Sequence, residues 1–150
     1  MTVDAAREVL RSCGTVVLVD WPSRDVPETL VRAGCAVHVK GGPGPEDFSA
    51  WELQDGAVAV RRTGRAPDQI DVLFVHRPVE ELAALVQFAR DRGARVLWYQ
   101  SGLAPDGSAD PRGCWLPAER SALVRAQVEA AGLTYVDDHF ILDAVGDRRP

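Results

Sequence analysis

Cysteine is scarce and badly spaced for a framework. Cys13, Cys35 and Cys114 are odd in number, with no CxxC or Cys/His ligand spacing, so neither a disulfide scaffold nor a zinc site is supported. Cys35, within the apolar "CAVHV", reads as a small core residue. Long apolar runs are missing too. None approaches the roughly 20 residues of a membrane helix, and the start "MTVDAAREVLRS" has no basic segment followed by an apolar one. These absences predict a soluble, cytoplasmic protein without membrane contact. Positive charge is in deficit, with a formal net charge of -5, which removes the footprint that nucleic-acid binding leaves. The one local exception, "RRTGR" at 61–65, reads as a solvated loop.

Glycine is absent where a dinucleotide site needs it. No glycine lies between Gly14 and Gly34, so the G-x-G-x-x-G turn that lets a pyrophosphate approach the backbone is missing after the first strand. The G-x-S-x-G nucleophile elbow is missing as well.

What is present is a chain of 150 residues, 46% hydrophobic, long enough for one well-filled core and expected to form a single domain over 1–150. Short β-branched runs alternate with amphipathic stretches, the pattern of a parallel sheet covered by helices. The reading gives a helix at 4–12, strands at 15–20 and 36–40 around a helix at 26–34, and a Gly/Pro-rich loop at 41–56 with one helical turn at 46–51. A brief strand at 57–60 follows, then a strand at 70–75, a helix at 78–93 and a strand at 94–99. After an insertion at 104–117 come a helix at 117–132 and a last strand at 133–138. Val79, Leu82, Leu85, Val86 and Ala89 share one face of the best helix. Right-handed crossovers assemble such units into a Rossmann-like α/β fold: an open, doubly wound, mostly parallel sheet of five or six strands with helices on both faces.

Ligands on such sheets bind outside the carboxyl ends of the strands. Four tips therefore matter: Asp20-Trp21-Pro22-Ser23-Arg24, Lys40-Gly41-Gly42, His76-Arg77-Pro78 and Gln100-Ser101-Gly102. Each alone is an ordinary turn. Together they put Lys40, Arg24, Arg77 and His76 on one rim of an acidic protein, which favours an anionic small ligand, phosphate above all. A lysine closing the second strand, where an NAD site has an acid, suits a phosphorylated ribose and leaves NADP or coenzyme A.

From "DQIDVLFVHRPVEELAALVQFARDRGARVLWYQSGL" onward the sequence resembles the small stand-alone CoA-binding domain proteins, relatives of the CoA-binding domain of the succinyl-CoA synthetase α subunit. The resemblance rests on "DVLFVHRPVEEL", on "GARVLWYQSGL" and on "AAGLTYVDDH", in that order along the chain. The first half departs from the pattern, with Asp20 where relatives have a loop glycine and Lys40-Gly41-Gly42-Pro43 where they have Asn-Pro. The resemblance implies binding of coenzyme A or an acyl-CoA without catalysis. On it, Ser23, Arg24 and the 22–26 backbone take the pyrophosphate, beside Asp20, Trp21 and Pro22, and Lys40 with Gly41 takes the phosphorylated ribose. His76, Arg77 and Pro78 wall the adenosine or pantetheine, and Gln100 and Gly102 meet ligand at the rim. No catalytic or metal-binding residue is assigned, since Asp137 and Asp138 point to opposite sides of a strand. Two rival readings stand beside this one: an interaction module that has lost its ligand, motivated by Trp51 and Trp115 in Gly/Pro-rich segments, and an NADP-dependent enzyme. A homodimer is left open.

Overall fold

The computed structural model describes residues 2–12 and 14–145, the side chains of Thr2, Val3 and Val145 excepted; Cys13 lies outside the described residues. Its helices are α1 (Thr2–Arg11), α2 (Asp25–Arg32), α3 (Leu82–Asp91), α4 (Ala118–Ala130) and α5 (Ile141–Val145). Its strands are β1 (Thr15–Val19), β2 (Ala36–Lys40), β3 (Phe48–Gln54), β4 (Ala57–Arg62), β5 (Val72–Val75), β6 (Val96–Tyr99) and β7 (Thr134–Val136). They form one seven-stranded sheet in the order β4-β3-β2-β1-β5-β6-β7. The pairings among β2, β1, β5, β6 and β7 are parallel, whereas β3 is antiparallel to β2 and to β4.

The doubly wound α/β expectation holds, and the sheet is wider than the five or six strands expected. The stretch 41–56 is not a loop with a helical turn. It holds β3, which turns into β4 through Asp55 and Gly56, at φ 54° and 82°. A two-residue Asp-Gly link with both residues left-handed matches the twist of a hairpin, so the dipeptide drives these two strands together. The Gly/Pro cluster before it obscures the signal. α5 was also unforeseen, being five residues long and too short for a helical period to show.

The central strands β5 and β6 are buried on both faces, as a near-continuous apolar run requires. Val16, Leu18, Phe74 and Trp98 pack against α1, α2 and α5, through Leu10, Leu30 and Ile141 among others. On the other face Val17, Val19, Leu73 and Tyr99 meet Leu82 and Val86 of α3 and Val124 and Val128 of α4. Leu82, Val86 and Ala89 of the expected apolar helix face are buried. Val79 and Leu85 pack at its margin. No helix among the described residues is long and apolar enough to cross a membrane.

A candidate ligand site at the strand tips

β1 hands the chain to α2 on one face of the sheet, and β5 hands it to α3 on the other, although β1 and β5 are neighbours. Two adjacent connections that part to opposite faces leave a crevice at their carboxyl ends. A pocket of about 390 Å³ lies there, lined by Val19, Asp20, Lys40, Gly41, Gly42, Pro43, Arg77, Glu81 and Leu85. Thus Asp20, Lys40, Gly41 and Arg77, drawn from three separate tips, share one pocket.

Asp20 has φ 64°, a left-handed conformation that glycine adopts freely and that Asp tolerates better than most side chains. Its carboxylate accepts a hydrogen bond from Arg77 Nη1 at 2.5 Å. Arg77 also donates Nη2 to Glu81 Oε2 at 2.5 Å and Nε at 3.1 Å to Oε1, one helical turn away. The hydrogen bonds from Arg77 hold Glu81 below the usual carboxylate range, with a smaller assist from the charge of Lys40. Lys40 itself donates Nζ to the carbonyl of Gly42 at 2.5 Å. Among the described residues no carboxylate is in contact with Lys40. The pocket therefore holds two cations, one committed to a double ion pair and one that no carboxylate contacts among the described residues.

The rest of the first tip turns away from this pocket. Ser23 Oγ donates to Asp25 Oδ1 at 2.6 Å, as do Trp21 Nε1 at 2.7 Å and the Val26 amide at 2.8 Å. Burial alone would raise the Asp25 pKa, but the bonds from Ser23, Trp21 and Val26, with the charge of Arg112, bring it below the usual value. The first turn of α2, where a ligand phosphate was expected, thus already carries an anion from the chain itself. Arg24 donates Nε to Glu28 at 2.6 Å and lays its guanidinium over the Trp51 ring at 4.6 Å. Ser23 and Arg24 are accordingly occupied at this helix start, and Pro22 is exposed beside them. Trp21 is buried edge-on to Phe74 and His76.

His76 and Gly102 do come together. A Cβ on Gly102, at φ 75°, would sit 2.7 Å from His76 Cε1, so only glycine lets the sixth-strand tip pack on this ring. His76 Nδ1 lies 3.0 Å from the carbonyl oxygen of Gln100. A carbonyl only accepts, so Nδ1 carries a proton. Pro78 is exposed and opens the turn into α3. Gln100 departs from expectation: its side chain is fully buried, donating Nε2 to the carbonyl of Gly113 at 2.5 Å. A buried amide needs such partners, and this one pins the 103–116 insertion instead of facing the rim. Cys114 Sγ lies 3.5 Å from Gln100 Oε1, and burial pushes its thiol up to about 11, which keeps it protonated and weakly nucleophilic. Asp137 is buried and bonded by Ser121 and Arg125, while Asp138 pairs with His139; the two carboxylates do not form a pair.

The family model described as "CoA binding domain" matches residues 13–144. The chain belongs to the CoA binding domain family. Its fold is similar to two solved structures: Prb, a protein redesigned for binding, at 21% identity and TM-score 0.61, covering 99% of this chain and 92% of that one, and a hypothetical protein from Pyrococcus horikoshii OT3, at 19% identity and TM-score 0.59, covering 98% and 92%. No curated protein matches.

In this CoA binding domain the rim contains residues that sequence reasoning passed over. Glu81 was signalled by its place one turn after Arg77, the i,i+4 spacing of a helical ion pair. Asp25 was signalled by its position in the first turn of a helix. Arg112 had no local signal: it reaches to 3.9 Å from Asp25 and over Phe140 at 4.7 Å from an insertion remote in sequence.

Proposed function

We propose that this protein binds coenzyme A or an acyl-CoA in the pocket over the β1, β2 and β5 tips, without catalysing a reaction. The observation that carries the reading is Lys40. It is a cation without a contacting carboxylate, beside the exposed Gly41 in a pocket at the topological switch point. In that position an ammonium attracts the phosphorylated ribose, and the glycines let a phosphate approach the backbone. Membership of the CoA binding domain family supports the same ligand. The pyrophosphate falls to Lys40 and the Gly42 amide, because Ser23 and Arg24 are already bonded within α2, Arg77 is paired with Asp20 and Glu81, and the Gly41 amide donates to Asp47. His76, on the β5 tip beside Arg77 and just outside the pocket lining, stands to meet the remainder of the ligand through Nε2, which has no partner among the described residues.

Isothermal titration of the full chain with coenzyme A tests this. Saturable heat is expected, weakened about tenfold in a Lys40→Ala variant by loss of a charge-assisted contact. No heat at millimolar ligand, or equal affinity in the variant, would sink the assignment. A second reading, a module that keeps the fold without the ligand, draws on the Asp20–Arg77–Glu81 closure and on the anion that Asp25 supplies to α2. Absence of coenzyme A binding together with capture of a partner protein would favour it.

A further inference from the structure

The arginines of "RRTGR" lie on no part of the rim pocket, and they are not simply a solvated loop. Arg61, Arg62, Thr63 and Arg65 line a separate pocket of about 320 Å³, closed by His38 of β2 and by Asp68. Its cations come from two sources, the end of β4 and the loop that follows. Arg61 spends one nitrogen on Glu52, at 3.3 Å. Among the described residues no carboxylate pairs with Arg62 or Arg65. The loop is tied in place: the amides of Thr63 and Gly64 both donate to the carbonyl of Phe48, at 2.9 and 3.2 Å, and Thr63 Oγ1 donates to the carbonyl of Arg65 at 3.0 Å. Gly64 turns it at φ 74°.

His38 forms the floor beside these arginines. Its half-buried ring borders the pocket, with Nδ1 closed off from it and without a hydrogen-bond partner among the described residues. Burial, and next the charge of Arg61, lower its pKa, against a smaller opposing effect of Glu52. The charged groups around the ring are thus Arg61, Arg62 and Arg65 against Glu52 and Asp68. An excess of cations in a molecule of net charge -5 requires a local reason.

We infer that this pocket is a second binding site, distinct from the rim pocket, for a small phosphomonoester. Planar guanidinium forks match phosphate oxygens two at a time, and the volume sits at the small end of ligand cavities, leaving room for a body about the size of a pentose beyond the phosphate. The pocket does not depend on the reading of the rim.

The test is an NMR titration of the full chain with ribose 5-phosphate at constant ionic strength, following the His38 ring, whose signals are assigned with a His38→Gln variant. A saturable shift is expected with the sugar phosphate and none with ribose or chloride. An Arg62→Ala/Arg65→Ala double variant, altered only at exposed positions, should weaken binding about tenfold or more, while Lys40→Ala leaves it unchanged. A shift that does not saturate, that ribose reproduces, that survives the double variant, or that Lys40→Ala abolishes would overturn the inference.

Discussion

At the scale of single residues, two backbone positions shape the rim. Asp20 occupies a left-handed conformation that glycine adopts without strain, and its carboxylate neutralises Arg77 inside the pocket. Replacing it with glycine removes both the side chain and the counter-ion. An Asp20→Gly variant should therefore bind coenzyme A more tightly than the parent, by about tenfold in a parallel titration, since a freed guanidinium gains a charge-assisted bond to phosphate. Gly102 behaves in the opposite sense. Alanine there meets the His76 ring at 2.7 Å, a ring braced by Trp21 and by the Gln100 carbonyl. Adding the cost of a side chain at positive φ, Gly102→Ala should lose about 2 kcal/mol or more of stability in denaturant unfolding.

At the scale of elements, α2 shows how a helix start can be completed from within. Its cap residue, Arg24, offers no side-chain bond to the helix's first amides, and Asp25 takes over by gathering Ser23, Trp21 and the Val26 amide. The carboxylate is held below its ordinary pKa of 3.8, so its bonds stabilise the fold above about pH 4 and fade as pH falls through the lower folded-state value. An Asp25→Asn variant should flatten that part of the acid-unfolding curve below pH 4, with little change in slope near neutrality. An unaltered acid limb would show that Asp25 contributes nothing to it. The 103–116 insertion is organised in a related way. The buried Gln100 amide holds the Gly113 carbonyl, and the Leu103–Ala109 bridge closes the segment on itself.

At the scale of the whole molecule, the fold divides its labour along the sheet. β1 and β5 are buried under helices and, with β2, bring the tips of distant segments within one crevice. The β3–β4 hairpin widens the sheet at the other margin and presents the arginine-lined pocket. Much of this was legible beforehand. The alternation of β-branched runs with amphipathic helices determined the α/β class and the right elements from β5 to α4, because strand burial and helix faces write their periods directly into the chain. The rule that ligands gather at carboxyl ends picked out Asp20, Lys40, Gly41 and Arg77. The β3–β4 hairpin was the failure, since a Gly/Pro-rich approach hid a strand pair that Asp55-Gly56 encodes.

What the sequence alone determined was composition-level and periodic: one acidic α/β sheet, its central strands, and the tips that gather at their carboxyl ends. Only the tertiary structure decided which way each tip side chain turns. Gln100 went inward because a buried amide must satisfy its polar atoms. Ser23 and Arg24 turned to partners within α2 and β3, because an uncompleted helix start and an aromatic face lie closer than the crevice. Among the described tip cations Lys40 kept a charge without a contacting carboxylate, and that outcome depends on which carboxylates the fold brings near, a distance that no spacing along the chain contains.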